Sequence, residues 1–194
     1  MNERLSLDVL ADQLPAYARD LSLNLASLAR ETVLTDSQKW GCFVACAHAG
    51  GVRAVIEAAE AGAREAGLPQ TVIDCAKSAS AITTMNNVYY RSTQLLSNGE
   101  YRTLPAKLRM SALASCSAPK ADFELWSLAV SALHGCGLCL DSHEQELRRQ
   151  RIPAASLHSA LRIAAVVAAV SRVAVAEGCG GPGRVEPVAL DQVA

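Results

Sequence analysis

Asp36, Trp40, Val44 and His48 return 86 residues later as Asp122, Trp126, Val130 and His134. The punctuation around the two sets is also alike. Gly50-Gly51 falls opposite Cys136-Gly137, and the segment after Pro69 falls near the one after Pro153. Self-similarity at this period means two copies of one supersecondary unit. Each copy reads as three helices, the first ending near Gly99 and the second near Glu177.

The local signals are helical throughout. Pro15, Pro69, Pro105, Pro119 and Pro153 suit the first turn of a helix, where the missing N–H costs nothing. Thr35-Asp36-Ser37-Gln38 resembles a capping box opening the helix that carries Trp40, Val44 and His48. Asn98-Gly99 is a closing signal for the long helix begun at Pro69. No stretch sustains a two-residue alternation, and no β-branched run is bounded by turns. The expected fold is all-α, built from two similar multi-helix halves. It occupies a single domain over residues 1–177, with halves at about 15–99 and 100–177. Residues 1–14 are a short amphipathic lead-in. A flexible tail follows over 178–194, since Gly178 to Val188 holds four glycines and two prolines.

Composition removes several classes of function. Apolar residues make up 51% of the chain and aromatic ones 4%, so the core must come from close packing of Ala, Leu and Val. A net charge of −1 with interspersed signs leaves no footprint for nucleic acid or an anionic membrane. The most apolar run, Ile163 to Val170, lies between Arg162 and Arg172 and is too short to span a bilayer. Met1-Asn2-Glu3-Arg4 opens no signal peptide, so a cytoplasmic protein is expected. In that compartment its seven cysteines read as reduced thiols, with any disulfide transient and catalytic.

The chemistry concentrates in Gly135-Cys136-Gly137-Leu138-Cys139, followed by His143 and Glu144. On a helix beginning near Cys136, positions i, i+3 and i+7 share a face, so both thiols and the imidazole look the same way. Thiols at a helix N-terminus are favoured as thiolates. Three readings compete for this CxxC. A redox dithiol with its own base is one. A zinc knuckle is another, but it needs four ligands, and Cys42/Cys46 form only a CxxxC without a companion. The third is a pair of small buried core residues. Within the redox reading, His143 is one turn from Cys139 and two from Cys136, which favours Cys139 as the activated thiol. The helix dipole favours Cys136.

Phe123-Glu124-Leu125-Trp126, Ala129-Val130-Ser131-Ala132 and Gly135-Cys136-x-x-Cys139-x-x-x-His143-Glu144 together closely resemble the alkyl hydroperoxide reductase AhpD family. Met85-Asn86-Asn87-Val88-Tyr89-Tyr90-Arg91 looks like that family's mid-chain signature, as does Leu108-Arg109-Met110. The likeness runs from about Leu14 to about Ala176. It implies an all-helical homotrimer acting as a lipoamide-dependent peroxidoreductase. Such a protein binds no cofactor, metal, haem or flavin. It takes electrons from dihydrolipoamide on a lipoylated acyltransferase serviced by lipoamide dehydrogenase. It reduces the peroxiredoxin AhpC and, weakly, peroxides themselves. The wider superfamily includes carboxymuconolactone decarboxylases, which lack the CxxC.

Carried onto this sequence, the resemblance implies that Cys139 forms the sulfenic acid or mixed disulfide. Cys136 donates a proton and closes a Cys136–Cys139 disulfide, His143 acts as base, and Glu124 relays protons to it. Well-known relatives in that family carry a histidine at the position of Leu138, so any tuning of the thiols by that imidazole is absent here. Two rivals remain. One is a non-catalytic redox-sensing or metal-binding module with Cys136, Cys139 and His143 as ligands. The other is a decarboxylase-like enzyme using His143 as its acid–base group. His134 reads as structural, since its counterpart His48 lies in the half without thiols, and His158 as a surface residue. Trp40 and Trp126 read as equivalent core anchors, and Cys42, Cys46, Cys75, Cys116 and Cys179 as packing or incidental thiols.

Overall fold

The capping box expected at Thr35 is present in the computed structural model, which describes residues 6–111 and 116–179. Thr35 Oγ1 accepts from the Gln38 N–H at 3.2 Å, and Gln38 Oε1 accepts from the Thr35 N–H at 3.3 Å. This opens helix α3, Asp36–Gly50. Before it come α1 (Ser6–Asp12) and, after a 3₁₀ turn at Ala16–Ala18, α2 (Arg19–Arg30). After it come α4 (Arg53–Glu65), α5 (Gln70–Leu95), α6 (Lys120–His134), α7 (Gly137–Arg149) and α8 (Ala154–Ala176). Pro69, Pro119 and Pro153 each stand immediately before a helix, as expected. Among the described residues there is no strand.

The core forms where α3 and α6 pack on each other, with α5 and α8 laid against both. Phe43, Val44, Leu125, Trp126, Val130, Ile163 and Val167 are sealed there. Aliphatic and aromatic side chains of this size each contribute about 1.5–3 kcal/mol when fully buried. Bare backbone makes room for the two tryptophans: a Cβ on Gly41 would overlap the Trp126 indole, and one on Gly62 would overlap Trp40. Ser37 Oγ donates to Asp122 Oδ2 at 2.7 Å, joining the N-terminal ends of α3 and α6. Helix starts recur from Asp36 to Lys120, from Arg53 to Gly137 and from Gln70 to Ala154, 84 residues each time. That is two fewer than the 86-residue spacing of the matched tryptophans.

Several local expectations need correction. α5 ends at Leu95, before Asn98-Gly99; Asn98 Oδ1 instead accepts from the Glu100 N–H at 3.0 Å and opens a 3₁₀ turn over Gly99–Arg102. No helix starts at Pro105, because Lys107 takes φ 50°, a left-handed conformation that right-handed helix excludes. Cys75 and Cys116 are not separate thiols but a disulfide with Cα atoms 5.4 Å apart, tying α5 to the connection before α6. The expected tail begins as a turn over 177–179, where Cys179 Sγ faces the Gln13 carbonyl at 3.7 Å; residues 180–194 lie outside the described residues. The apolar run around Ile163 extends into a 23-residue helix, α8, whose length and mean hydropathy of 1.7 would allow it to cross a membrane. Here it packs against α2, α3 and α6, with Ile163, Ala164, Val167, Val170 and Ala174 buried.

One charged cluster links α3, α4 and α5. Glu60 accepts from His48 Nε2 and Lys77 Nζ, each at 2.8 Å, and from Arg64 at 3.2 Å. Burial alone raises the Glu60 carboxyl, but hydrogen bonds from Lys77, His48 and Arg64 outweigh it and hold the pKa at about 2. A carboxylate lowered by folding contributes stability above its ordinary value of 4.5 and loses it as pH falls toward 2. Glu60→Gln should therefore cost up to about 3 kcal/mol at neutral pH and flatten the acid decline. Urea midpoints at neutral pH and near pH 3 check both.

Candidate active site

The link between α6 and α7 is two residues long, and glycine makes it possible. Gly135 takes φ 65°, a conformation that costs other residues a steric penalty. Its N–H donates to the Ala132 carbonyl and the Cys136 N–H to the Ser131 carbonyl, both at 3.1 Å, which is the Schellman arrangement. Cys136 thereby becomes the N-cap of α7, and Cys139 lies in that helix's first turn. The two are joined as a disulfide with Cα atoms 5.3 Å apart. Cys136 has no exposed surface, whereas Cys139 retains 7%.

His143 follows Cys139 by one turn on the same helix. Its Nδ1 lies 2.7 Å from Glu124 Oε2 on α6, a direct contact between two side chains of 23% and 19% exposure. With the carboxylate accepting from Nδ1–H, the neutral ring keeps a lone pair on Nε2. Cys139 and His143 line one cleft of about 320 Å³, together with Asn86, Tyr90, Leu138 and Ser142. Glu124, Cys139 and His143 are thus brought together, with Cys136 behind Cys139. The half-exposed Leu138 also borders a second cleft of about 470 Å³, whose walls include Tyr90, Tyr101, Arg102 and Leu104.

The CxxC motif alone does not reveal Asn86, Tyr90 or Ser142. Asn86 and Tyr90 lie four residues apart in the Met85–Arg91 stretch, so one face of α5 presents both. That spacing was the available signal. Asn86 Nδ2 points at the Met110 sulfur, 3.2 Å away, and its Oδ1 is buried without a hydrogen-bond partner.

His134 turns to the scaffold. Asn87 Nδ2 lies 3.1 Å from its Nδ1, and Arg91 donates to its carbonyl at 2.9 Å. Burial pushes its imidazole below the ordinary value, against an opposing hydrogen bond with the Ala49 backbone, while Arg91 adds to the lowering. His158 is exposed on α8. Cys42 and Cys46 are fully buried packing thiols; burial drives Cys42 well above its ordinary value and Cys46 up to about 12. Among the described residues, no three His, Cys, Asp or Glu side chains gather as a metal site.

The carboxymuconolactone decarboxylase family model matches residues 99–179, which include the whole α6–α7 unit. Alkyl hydroperoxide reductase AhpD of Maricaulis maris is 55% identical over 173 residues, 89% of this chain and 99% of that protein. The AhpD of Hyphomonas neptunium is 51% identical over 89% of this chain and 96% of its own length. That of Bradyrhizobium sp. strain ORS 278 is 50% identical over 86% and 92%. With this similarity along nearly the full relatives and a CxxC-spaced cysteine pair, the chain belongs to the alkyl hydroperoxide reductase AhpD family and is a thiol-based antioxidant oxidoreductase.

Proposed function

We propose that the protein is a lipoamide-dependent alkyl hydroperoxide reductase in which Cys139 is the peroxide-reactive thiol. The observation that carries this reading is the 2.7 Å Glu124–His143 contact beside the cleft that Cys139 lines. His143 Nε2 takes the Cys139 proton, and Glu124 fixes the tautomer and passes protons onward. The thiolate attacks the terminal oxygen of the hydroperoxide; the O–O bond breaks, the alkoxide takes the proton back from His143 and leaves as an alcohol, and Cys139 becomes a sulfenic acid. Cys136, shielded from solvent behind it, gives up its proton and displaces water to close the disulfide. A dihydrolipoyl group reopens the pair by thiol–disulfide exchange, and its own two sulfurs leave as the cyclic disulfide. Exposure favours this division of roles over the reverse, since an incoming oxidant reaches Cys139 first.

The family resemblance supports the donor and acceptor partners we propose. They are a lipoylated acyltransferase with lipoamide dehydrogenase on one side and the peroxiredoxin AhpC on the other, in the cytoplasm, with this chain as a homotrimer. We also read residues 15–99 and 100–177 as duplicated halves of one domain over 1–177. The 84-residue recurrence of helix starts supports this. In that register Trp40, Val52, Val55 and Ala59 stand where Glu124, Cys136, Cys139 and His143 stand, so only the second half carries the chemistry. The decarboxylase-like reading has the family model over residues 99–179 in its favour, but the CxxC-spaced cysteine pair and the AhpD relatives favour the thiol reductase.

The test is an NADH-coupled assay containing lipoamide, lipoamide dehydrogenase and cumene hydroperoxide. NADH oxidation that requires both this protein and lipoamide is expected. Oxidation unchanged by omitting either would overturn the reading.

A further inference from the structure

Besides Cys136 and Cys139 the chain has five cysteines, and four of them fall into two distinct pairs. Cys42 and Cys46 are sealed in the core, where burial disfavours the thiolate. Cys75 and Cys116 are different. Their Cα atoms lie 5.4 Å apart, within the range a disulfide spans, although 41 residues separate them in sequence. Two backbone donors are aimed at the sulfurs: the Ser117 N–H at Cys75 Sγ, 3.2 Å, and the Ala118 N–H at Cys116 Sγ, 3.4 Å. Hydrogen bonds to sulfur favour its charged form whenever the pair is reduced. Cys116 is part-exposed, and Cys75 lies behind it with 6% exposure. As in the Cys136–Cys139 pair, one sulfur is more exposed than the other, here Cys116.

The location gives this pair something to control. Cys75 sits on α5, the helix that supplies Asn86 and Tyr90 to the Cys139 cleft. Cys116 lies near the end of the connection from α5 to α6, whose Tyr101, Arg102 and Leu104 wall the neighbouring cleft and whose Met110 touches Asn86. We propose that Cys75 and Cys116 form a second redox-active pair, oxidised by hydroperoxides and reopened by small dithiols, which clamps this connection to α5 when oxidised. Cys116 thiolate attacks the terminal oxygen of a hydroperoxide, the O–O bond breaks to leave a Cys116 sulfenic acid, and the departing alkoxide takes a proton from water to become an alcohol. Cys75 then attacks the Cys116 sulfenic acid; the S–S bond forms, and water leaves with the Cys75 proton. Two thiols are oxidised by two electrons and one peroxide is reduced by two. A dithiol reverses the oxidation by exchange and ends as its own disulfide. The proposal does not depend on the roles assigned to Cys136 and Cys139.

The test uses the full chain with both Cys136→Ser and Cys139→Ser, so that the first pair is silent. The protein is reduced, treated with cumene hydroperoxide, and alkylated before tryptic mass spectrometry. The expected product links peptide 65–77 to peptide 110–120, and dihydrolipoamide under native conditions should undo it. Trypsin cleavage after the exposed Lys107 and Arg109 should be roughly tenfold faster in the reduced form. That difference should vanish when Cys116→Ser is added. Cys75 and Cys116 remaining alkylatable after peroxide would overturn the proposal. So would a disulfide that native dithiol cannot reopen, which would be a permanent staple. If the double variant does not fold, the same peptides are read in the wild-type chain, because tryptic cleavage separates them from the one carrying Cys136 and Cys139.

Discussion

Cys139→Ser should bring lipoamide-coupled peroxide reduction down by at least about 10,000-fold, as removing the nucleophile of a cooperating set does in other enzymes. The hydroxyl left at 139 is not ionised by an imidazole at neutral pH and cannot form a disulfide with Cys136. Cys136→Ser should also stop turnover, but by a different route. Cys139 still meets peroxide in its cleft, and nothing shielded behind it can resolve the product. A sulfenic acid, or a mixed disulfide with an added thiol, should accumulate on Cys139 and be visible as a mass increase on the intact chain. The same adduct appearing in Cys139→Ser instead would reverse the two roles.

His143→Gln and Glu124→Gln should each slow turnover steeply, on the scale of roughly 100- to 10,000-fold expected of a positioned acid–base group. The losses should not multiply in the double variant. At 2.7 Å the two side chains act as one unit, so removing the second after the first removes little more. The fold should survive, because each side chain keeps about a fifth of its surface exposed and neither fills the core. Unchanged circular dichroism with lost coupled activity is the combination to look for.

Much of this was legible in local sequence. The capping box at Thr35 and the prolines before α5, α6 and α8 act within a turn or two of themselves, so they read correctly in isolation. Signals that depend on packing did not. Pro105 offers a helix start that the left-handed Lys107 denies. Trp40 and Trp126 match in identity, yet Trp126 lies on Gly41 of α3 and Trp40 on Gly62 of α4. Their neighbours differ, and the helices repeat at 84 residues rather than 86. Cys75 and Cys116 carry no motif; only the path of the chain between α5 and α6 brings them together. Asn86 and Tyr90 join the site because α5 packs against α7, which no spacing within α7 could foretell. The Glu124–His143 contact was expected from resemblance, and it proves to be direct.

The central claim is that His143, held by Glu124, keeps Cys139 ready as a thiolate. The most direct measurement is the alkylation rate of Cys139 in the reduced protein across pH, read by mass spectrometry of its peptide. The wild type at neutral pH should react at least about tenfold faster than both His143→Gln and Glu124→Gln, with the gap closing as pH rises beyond the range of an ordinary thiol. Three superimposable profiles would contradict the account.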